Sequence, residues 1–123
     1  DMDGLKYIND TFGHTEGDFS VKTVCKAAFT TGRTEEICVR AGGDEFYVFG
    51  IGKYEDTDIE KRVQDFNTRL EEYSNASRKP YRIEASIGIE IVPMDGRHQI
   101  NNVINAADEK MYKSKVERKK QRI

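Results

Sequence analysis

With 123 residues, 37% of them apolar, the chain has material for one hydrophobic core and not for two. Its 20 basic and 22 acidic residues leave a formal net charge of -2, which excludes a global basic field for nucleic-acid binding, so any anion site must be local. Cys25 and Cys38 have no pairing or metal-ligand spacing and are expected to be free, buried thiols of a reducing cytoplasm.

Asp1-Met2-Asp3 opens the chain with two carboxylates in three residues at a strand end, and Leu5, Ile8 and Phe12 follow at helical spacing. Gly13-His14-Thr15-Glu16-Gly17-Asp18 reads as a loop, with Asp18 placed to cap a helix through Phe19, Val21, Val24, Ala27, Ala28 and Phe29 that Thr30-Thr31-Gly32 ends. Ile37, Val39, Phe46 and Val48 alternate at period two around Gly42-Gly43, which predicts two half-buried strands joined by a glycine turn with positive φ at both central positions.

Over residues 56–72, Ile59, Val63, Phe66 and Leu70 recur every three or four positions, an amphipathic helix, and 74–80 read as a loop. Residues 82–92 alternate Ile83, Ala85, Ile87, Ile89 and Ile91, a strand that Pro93-Met94-Asp95-Gly96 stops. The last helix aligns Ile100, Val103, Ile104, Ala107, Met111 and Tyr112 and ends in Lys113, Lys115, Arg118, Lys119, Lys120 and Arg122, opposed by Glu117 alone; a solvated helix end and a local anion site are both open readings. The order predicts one α+β domain over residues 1–123, an antiparallel-rich central sheet with a β-hairpin, flanked by helices. No run is apolar enough to cross a bilayer, and no nucleic-acid or membrane contact is expected of this domain. With Asp1 first, the sequence is expected to be part of a longer protein, with a further strand before Asp1.

The stretch Arg40-Ala41-Gly42-Gly43-Asp44-Glu45-Phe46 needs more explanation than a turn supplies. Adjacent carboxylates beside a core repel unless solvent, a cation or a basic partner offsets them. Two readings stand: a solvated turn flanked by strand-end acids, or half of a divalent-cation site that Asp1 and Asp3 complete if their strand lies beside the hairpin.

Four separated motifs then carry a resemblance. Asp1-x-Asp3-x-x-Lys6-x-x-Asn9-Asp10-x-x-Gly13-His14-x-x-Gly17-Asp18, the glycine hairpin just quoted, Ala85-Ser86-Ile87-Gly88-Ile89, and Ala107-Asp108-x-x-Met111-Tyr112-x-x-Lys115 together resemble the GGDEF family of diguanylate cyclases, in the family's order and over nearly the whole chain. The resemblance implies a fold like the palm of nucleotidyl cyclases and polymerases, with a ferredoxin-like core, lacking here the strand and helix that open the domain. It also implies condensation of two GTP into cyclic di-GMP with release of pyrophosphate, in a homodimer whose two domains face each other, under an upstream sensory or regulatory domain, in the cytoplasm. The stretch 1–123 alone is not expected to turn over. The alternative is a GTP-binding module that controls a partner domain without turnover; the intact Gly42-Gly43-Asp44-Glu45-Phe46 favours the enzyme.

By residue, the resemblance implies Mg²⁺ or Mn²⁺ held by Asp1, the Met2 carbonyl and Asp44, with Asp44 and Glu45 catalytic. Asn9 and Asp18 would read the guanine, Gly42 and Gly43 would let the backbone approach the nucleotide, and Lys6, Lys115 and Lys119 would neutralise phosphates. Gly4 and Leu5 would offer main-chain N–H groups. His14, Tyr7 and Phe12 are expected to be structural, the last two in the core. Three departures stand out. Arg33-Thr34-Glu35-Glu36 has Glu36 where the family's product-inhibition motif has aspartate, Lys119 stands where arginine is usual and loses its bidentate fork, and Gly4 stands where a bulky apolar residue is common.

Overall fold

The computed structural model describes residues 1–93 and 95–121, so Met94 of the expected turn and Arg122 of the basic tail lie outside the described residues. The elements run β1 (Met2–Asp3), α1 (Leu5–Phe12), α2 (His14–Thr31), β2 (Ile37–Gly42), β3 (Glu45–Phe49), α3 (Asp56–Ser77), β4 (Glu84–Ala85) and α4 (Ile100–Gln121). This is the expected α+β class. The chain divides into two units, Asp1–Ala85 and Ser86–Ile123.

In the first unit, Met2, Ile8 and Ile83 are each 1% exposed and pack with Val21, Val24, Ala27, Phe66 and Leu70. A fully buried side chain of this size contributes about 1.5–3 kcal/mol, so Met2 anchors β1, and strand alternation turns Asp1 and Asp3 to the opposite face. β1 pairs antiparallel with β4, Met2 opposite Ala85 and Asp3 opposite Glu84. The hairpin β2–β3 forms a separate two-stranded sheet.

Several expectations change. Of the strand expected over 82–92, Glu84–Ala85 forms as β4, because a ladder extends only as far as its partner and β1 supplies two residues. The segment 13–18 is not a loop: α2 begins at His14, with Gly13 (φ 98°) as N-cap, and Asp18 lies inside the helix, so it does not cap it. Helix α3 runs five residues past 72, through Ser77. Arg78 in the left-handed region (φ 56°) stops it, its N–H donating to the Asn75 carbonyl. Its start is set by a reciprocal capping box between Glu55 and Asp58.

The hairpin is more exposed than its alternation suggests, with Ile37 63%, Val39 44% and Val48 44% exposed. Tyr7, expected in the core, is 61% exposed and meets Phe12 edge-on, with ring centroids 6.1 Å apart. Phe29 is exposed as well. Both cysteines are free, but Cys38 is exposed and Cys25 half-buried. Burial, followed by the neighbouring Cys38, pushes the Cys25 thiol up.

In the second unit, residues 86–93 form no ladder among the described residues and α4 follows. A Cβ on Gly88 would overlap the Ala107 carbonyl and the Met111 nitrogen and sit 2.9 Å from Met111 Cα, so glycine is what permits this approach. Lys110 pairs with Glu90 at 2.6 Å. Ile100 and Tyr112, placed on the apolar face by spacing, are 62% and 65% exposed; Val103, Ile104, Ala107 and Met111 are half-buried.

Candidate functional site

The hairpin turn and the acid-bearing strand meet. The Met2 N–H donates to the Asp44 carbonyl at 2.7 Å, which fixes Asp1-Met2 beside Asp44 although they are more than forty residues apart in sequence. One Asp1 carboxylate oxygen, Oδ1, is shielded from solvent. Glu45 is half-buried, and its Oε1 accepts the Tyr47 hydroxyl at 3.1 Å.

The turn differs in detail from a symmetric Gly-Gly hairpin. Gly42 pairs with Glu45 after an irregularity between Arg40 and Gly42, so Gly43 and Asp44 make the turn. Neither Gly42 nor Gly43 has a positive φ, and a Cβ on either would meet nothing within 4 Å. The glycines therefore leave an open surface here, and backbone strain does not require them. Arg40 holds the turn: its Nε and Nη2 donate to the Gly43 carbonyl at 3.1 and 2.7 Å. Sequence reasoning missed this clamp, for which an arginine three residues before the turn was the available signal.

On the other side of β1, Gly4 (φ 76°) adopts the left-handed conformation that L side chains rarely take, which explains glycine there, and no side chain caps α1. Its first-turn N–H groups belong to Leu5 and the residues that follow. Lys6 is 90% exposed and pairs with Asp10 at 2.8 Å; the hydrogen bond to Asp10, then its charge, raises the Lys6 pKa. An exposed pair of this kind is weak, so Lys6 exchanges it readily for another anion.

Asn9 is half-buried near the end of α1, where its carbonyl accepts the Gly13 N–H at 3.0 Å. Asp18 is exposed on α2, one residue after the buried Gly17. Gly17, read with Gly13 as a loop glycine, is instead a buried residue inside α2. Lys115 and Lys119 lie on α4 in the second unit, Lys119 exposed.

Arg33 and Glu36 are committed to the fold. Glu36 is 7% exposed, pairs with Arg62 Nη1 at 2.6 Å and accepts the Tyr54 hydroxyl at 2.8 Å. Burial pushes its carboxyl up, but the hydrogen bonds from Tyr54 and Arg62 and the Arg62 charge outweigh it and hold Glu36 below the usual carboxylate range. Arg33 stacks on Tyr54 at 3.8 Å and donates to the Lys53 carbonyl at 2.8 Å.

No group of three or more His, Cys, Asp or Glu is arranged to hold a metal ion among the described residues. What the structure brings together is the backbone of Met2 and of Asp44, in a stretch whose polar side chains, Asp1, Asp3, Asp44 and Glu45, carry the oxygen donors that hard cations use. No helix among them is long and apolar enough to cross a membrane.

An α+β domain whose acid-bearing strand meets a Gly-Gly-Asp-Glu hairpin has the palm-like fold of the nucleotide cyclases, and solved structures agree. The diguanylate cyclase SiaD of Pseudomonas aeruginosa, crystallised with its activator SiaC, superposes with a TM-score of 0.77 at 23% identity, over 95% of this chain and 44% of that one. An EAL/GGDEF domain protein from M. capsulatus superposes at 0.73 with 27% identity, over 95% and 75%. The family model described as "Diguanylate cyclase, GGDEF domain" matches residues 1–121, and the chain belongs to that family. The bifunctional diguanylate cyclase/cyclic di-GMP phosphodiesterase MucR of Pseudomonas aeruginosa is 36% identical over 115 residues, 94% of this chain and 16% of that protein. Escherichia coli diguanylate cyclase DgcP is 32% identical over 121 residues, 98% and 35%. The chain thus spans a minor part of the relatives it matches.

Proposed function

We propose that this diguanylate cyclase-type domain condenses two GTP into cyclic di-GMP with release of pyrophosphate, as half of a homodimer and as one domain of a longer, regulated protein in the cytoplasm. The observation that carries the reading is the 2.7 Å bond from the Met2 N–H to the Asp44 carbonyl, which joins the two acidic motifs at an open glycine turn. Asp1, the Met2 carbonyl and Asp44 would hold Mg²⁺ or Mn²⁺, which when bound polarises phosphate and hydroxyl oxygens. The oxygen-only donors fit that group.

Asp44 takes the proton of the 3′-hydroxyl and Glu45 supports the charge of the site. Lys6, Lys115 and Lys119 balance phosphate charge, Lys119 as a point charge without arginine's fork. Asn9 and Asp18 read the guanine, Asp18 accepting from the N–H groups of its edge. Gly42 and Gly43 leave room for the nucleotide against the turn. Arg33 and Glu36 would form at most a degenerate product-inhibition site, in which product has to compete with the pairing of Glu36 to Arg62 and Tyr54.

The test is GTP turnover with product identification, with Mg²⁺ or Mn²⁺, by the full-length dimeric protein. Cyclic di-GMP and pyrophosphate are the expected products. A folded protein that binds GTP and forms neither overturns the enzyme reading.

A further inference from the structure

Glycine in a helix interior is unfavourable, because it loses more backbone freedom than any other residue and buries no side chain. Gly17 is nevertheless a buried residue of α2, the fourth of its eighteen. The space its side chain would take is occupied: a Cβ built there would overlap Asn9 Oδ1 and lie 2.8 Å from Asn9 Cγ. Asn9 belongs to α1, and its main chain is fixed to the junction by the Gly13 N–H at 3.0 Å, while the Gly17 N–H donates to the Gly13 carbonyl at 3.2 Å. The carboxamide of Asn9 therefore rests on the backbone of α2 at the residue directly before Asp18.

We infer that Gly17 is a specificity-determining position: its missing Cβ lets the Asn9 carboxamide lie against α2 next to Asp18, so that donors and acceptors from two helices present one edge to a guanine. The inference rests on the GTP reading proposed above and adds a residue that touches no substrate. An alanine at 17 has the better helix propensity, so a loss it causes is not one of propensity, and the nearest atoms its Cβ meets are those of Asn9. The carboxamide is the movable partner in that overlap and is the group displaced.

Equilibrium binding of GTP and of ATP, each with Mg²⁺, to the full-length protein and to Gly17→Ala, Asn9→Ala and the double variant tests this, with melting temperatures measured alongside. Gly17→Ala is expected to weaken GTP about tenfold, the worth of one good hydrogen bond, and ATP by less than about twofold on the same scale, lowering the GTP to ATP preference. In the Asn9→Ala background the same substitution is expected to change neither affinity, since the displaced group is gone. An unchanged GTP to ATP preference in Gly17→Ala overturns the inference. So does an equal loss for both nucleotides that persists without the Asn9 side chain, which marks Gly17 as a helix-packing residue only. If Gly17→Ala does not fold, the double variant decides: a preference equal to that of Asn9→Ala supports the inference and a lower one overturns it. Failure of the GTP reading itself is visible earlier, in an unsubstituted protein that does not prefer GTP over ATP, and the inference falls with it.

Discussion

Glu36→Gln removes the negative charge from the most enclosed ion pair described in the chain and keeps the shape of the side chain. Glu36 is 7% and Arg62 19% exposed, and the pair is 2.6 Å apart. Breaking a fully buried pair costs about 3–5 kcal/mol, because the surviving charge is left without compensation. Arg62 retains some water and glutamine still accepts the Tyr54 hydroxyl, so the cost here is about 2–3 kcal/mol. At this size each kcal/mol moves the melting temperature by roughly 3–5 °C, so a fall of about 10 °C is expected.

The sign of the pH dependence follows from the lowered carboxyl pKa of Glu36. A depressed acid contributes stability that is fully present above the unfolded-state value, about 4.3, and is lost as the pH falls through the lower folded-state value. The difference between the unsubstituted protein and Glu36→Gln therefore holds from neutral pH down to about 5 and shrinks below about 4. Thermal unfolding followed by circular dichroism between pH 3 and 7 reads this directly, and a cycle with Arg62→Met isolates the pair. A gap that stays constant to pH 3, or additive effects of the two substitutions, would refute the ion-pair account.

Further expectations concern the site and the second unit. Asp44→Ala is expected to lower cyclic di-GMP formation by the full-length protein at least about 100-fold with an unchanged fold, since a cation ligand and the proton acceptor go together; chromatography of the product with a far-ultraviolet spectrum checks it, and residual activity near the parent level rejects the assignment. Lys6→Ala is expected to weaken GTP binding while leaving the melting temperature unmoved, because its pair with Asp10 is exposed; isothermal titration and thermal unfolding report the two separately. Gly88→Ala places a methyl group against the backbone of α4, which cannot give way as a side chain can, and is expected to destabilise by about 1–3 kcal/mol, read from a denaturant midpoint shift without a change in slope.

Much of this was legible in local pattern. Leu5, Ile8, Phe66 and Leu70 were assigned to apolar faces by spacing alone and are buried. The hairpin was marked by alternation around the glycines, and four ordered motifs carried the family resemblance that the comparisons bear out. Where local pattern misled, a nonlocal contact decided. Gly17 in a run of turn-forming residues looks like loop, yet it lies inside α2, which begins at His14, and Asn9 of α1 occupies the place of the side chain it lacks. Residues 82–92 alternate like a strand over eleven positions, yet the strand formed is Glu84–Ala85, opposite Met2 and Asp3.

By itself the sequence determined which faces are apolar, where glycine interrupts them and which carboxylates are available, since these are properties of neighbours along the chain. Only the tertiary structure decided that the Met2 N–H meets the Asp44 carbonyl, that Glu36 is closed off by Arg62 and Tyr54, and that Asn9 rests on Gly17. Each of these joins residues that are not neighbours along the chain. A side chain's periodicity says which way it faces, and the packing of the chain decides what it faces.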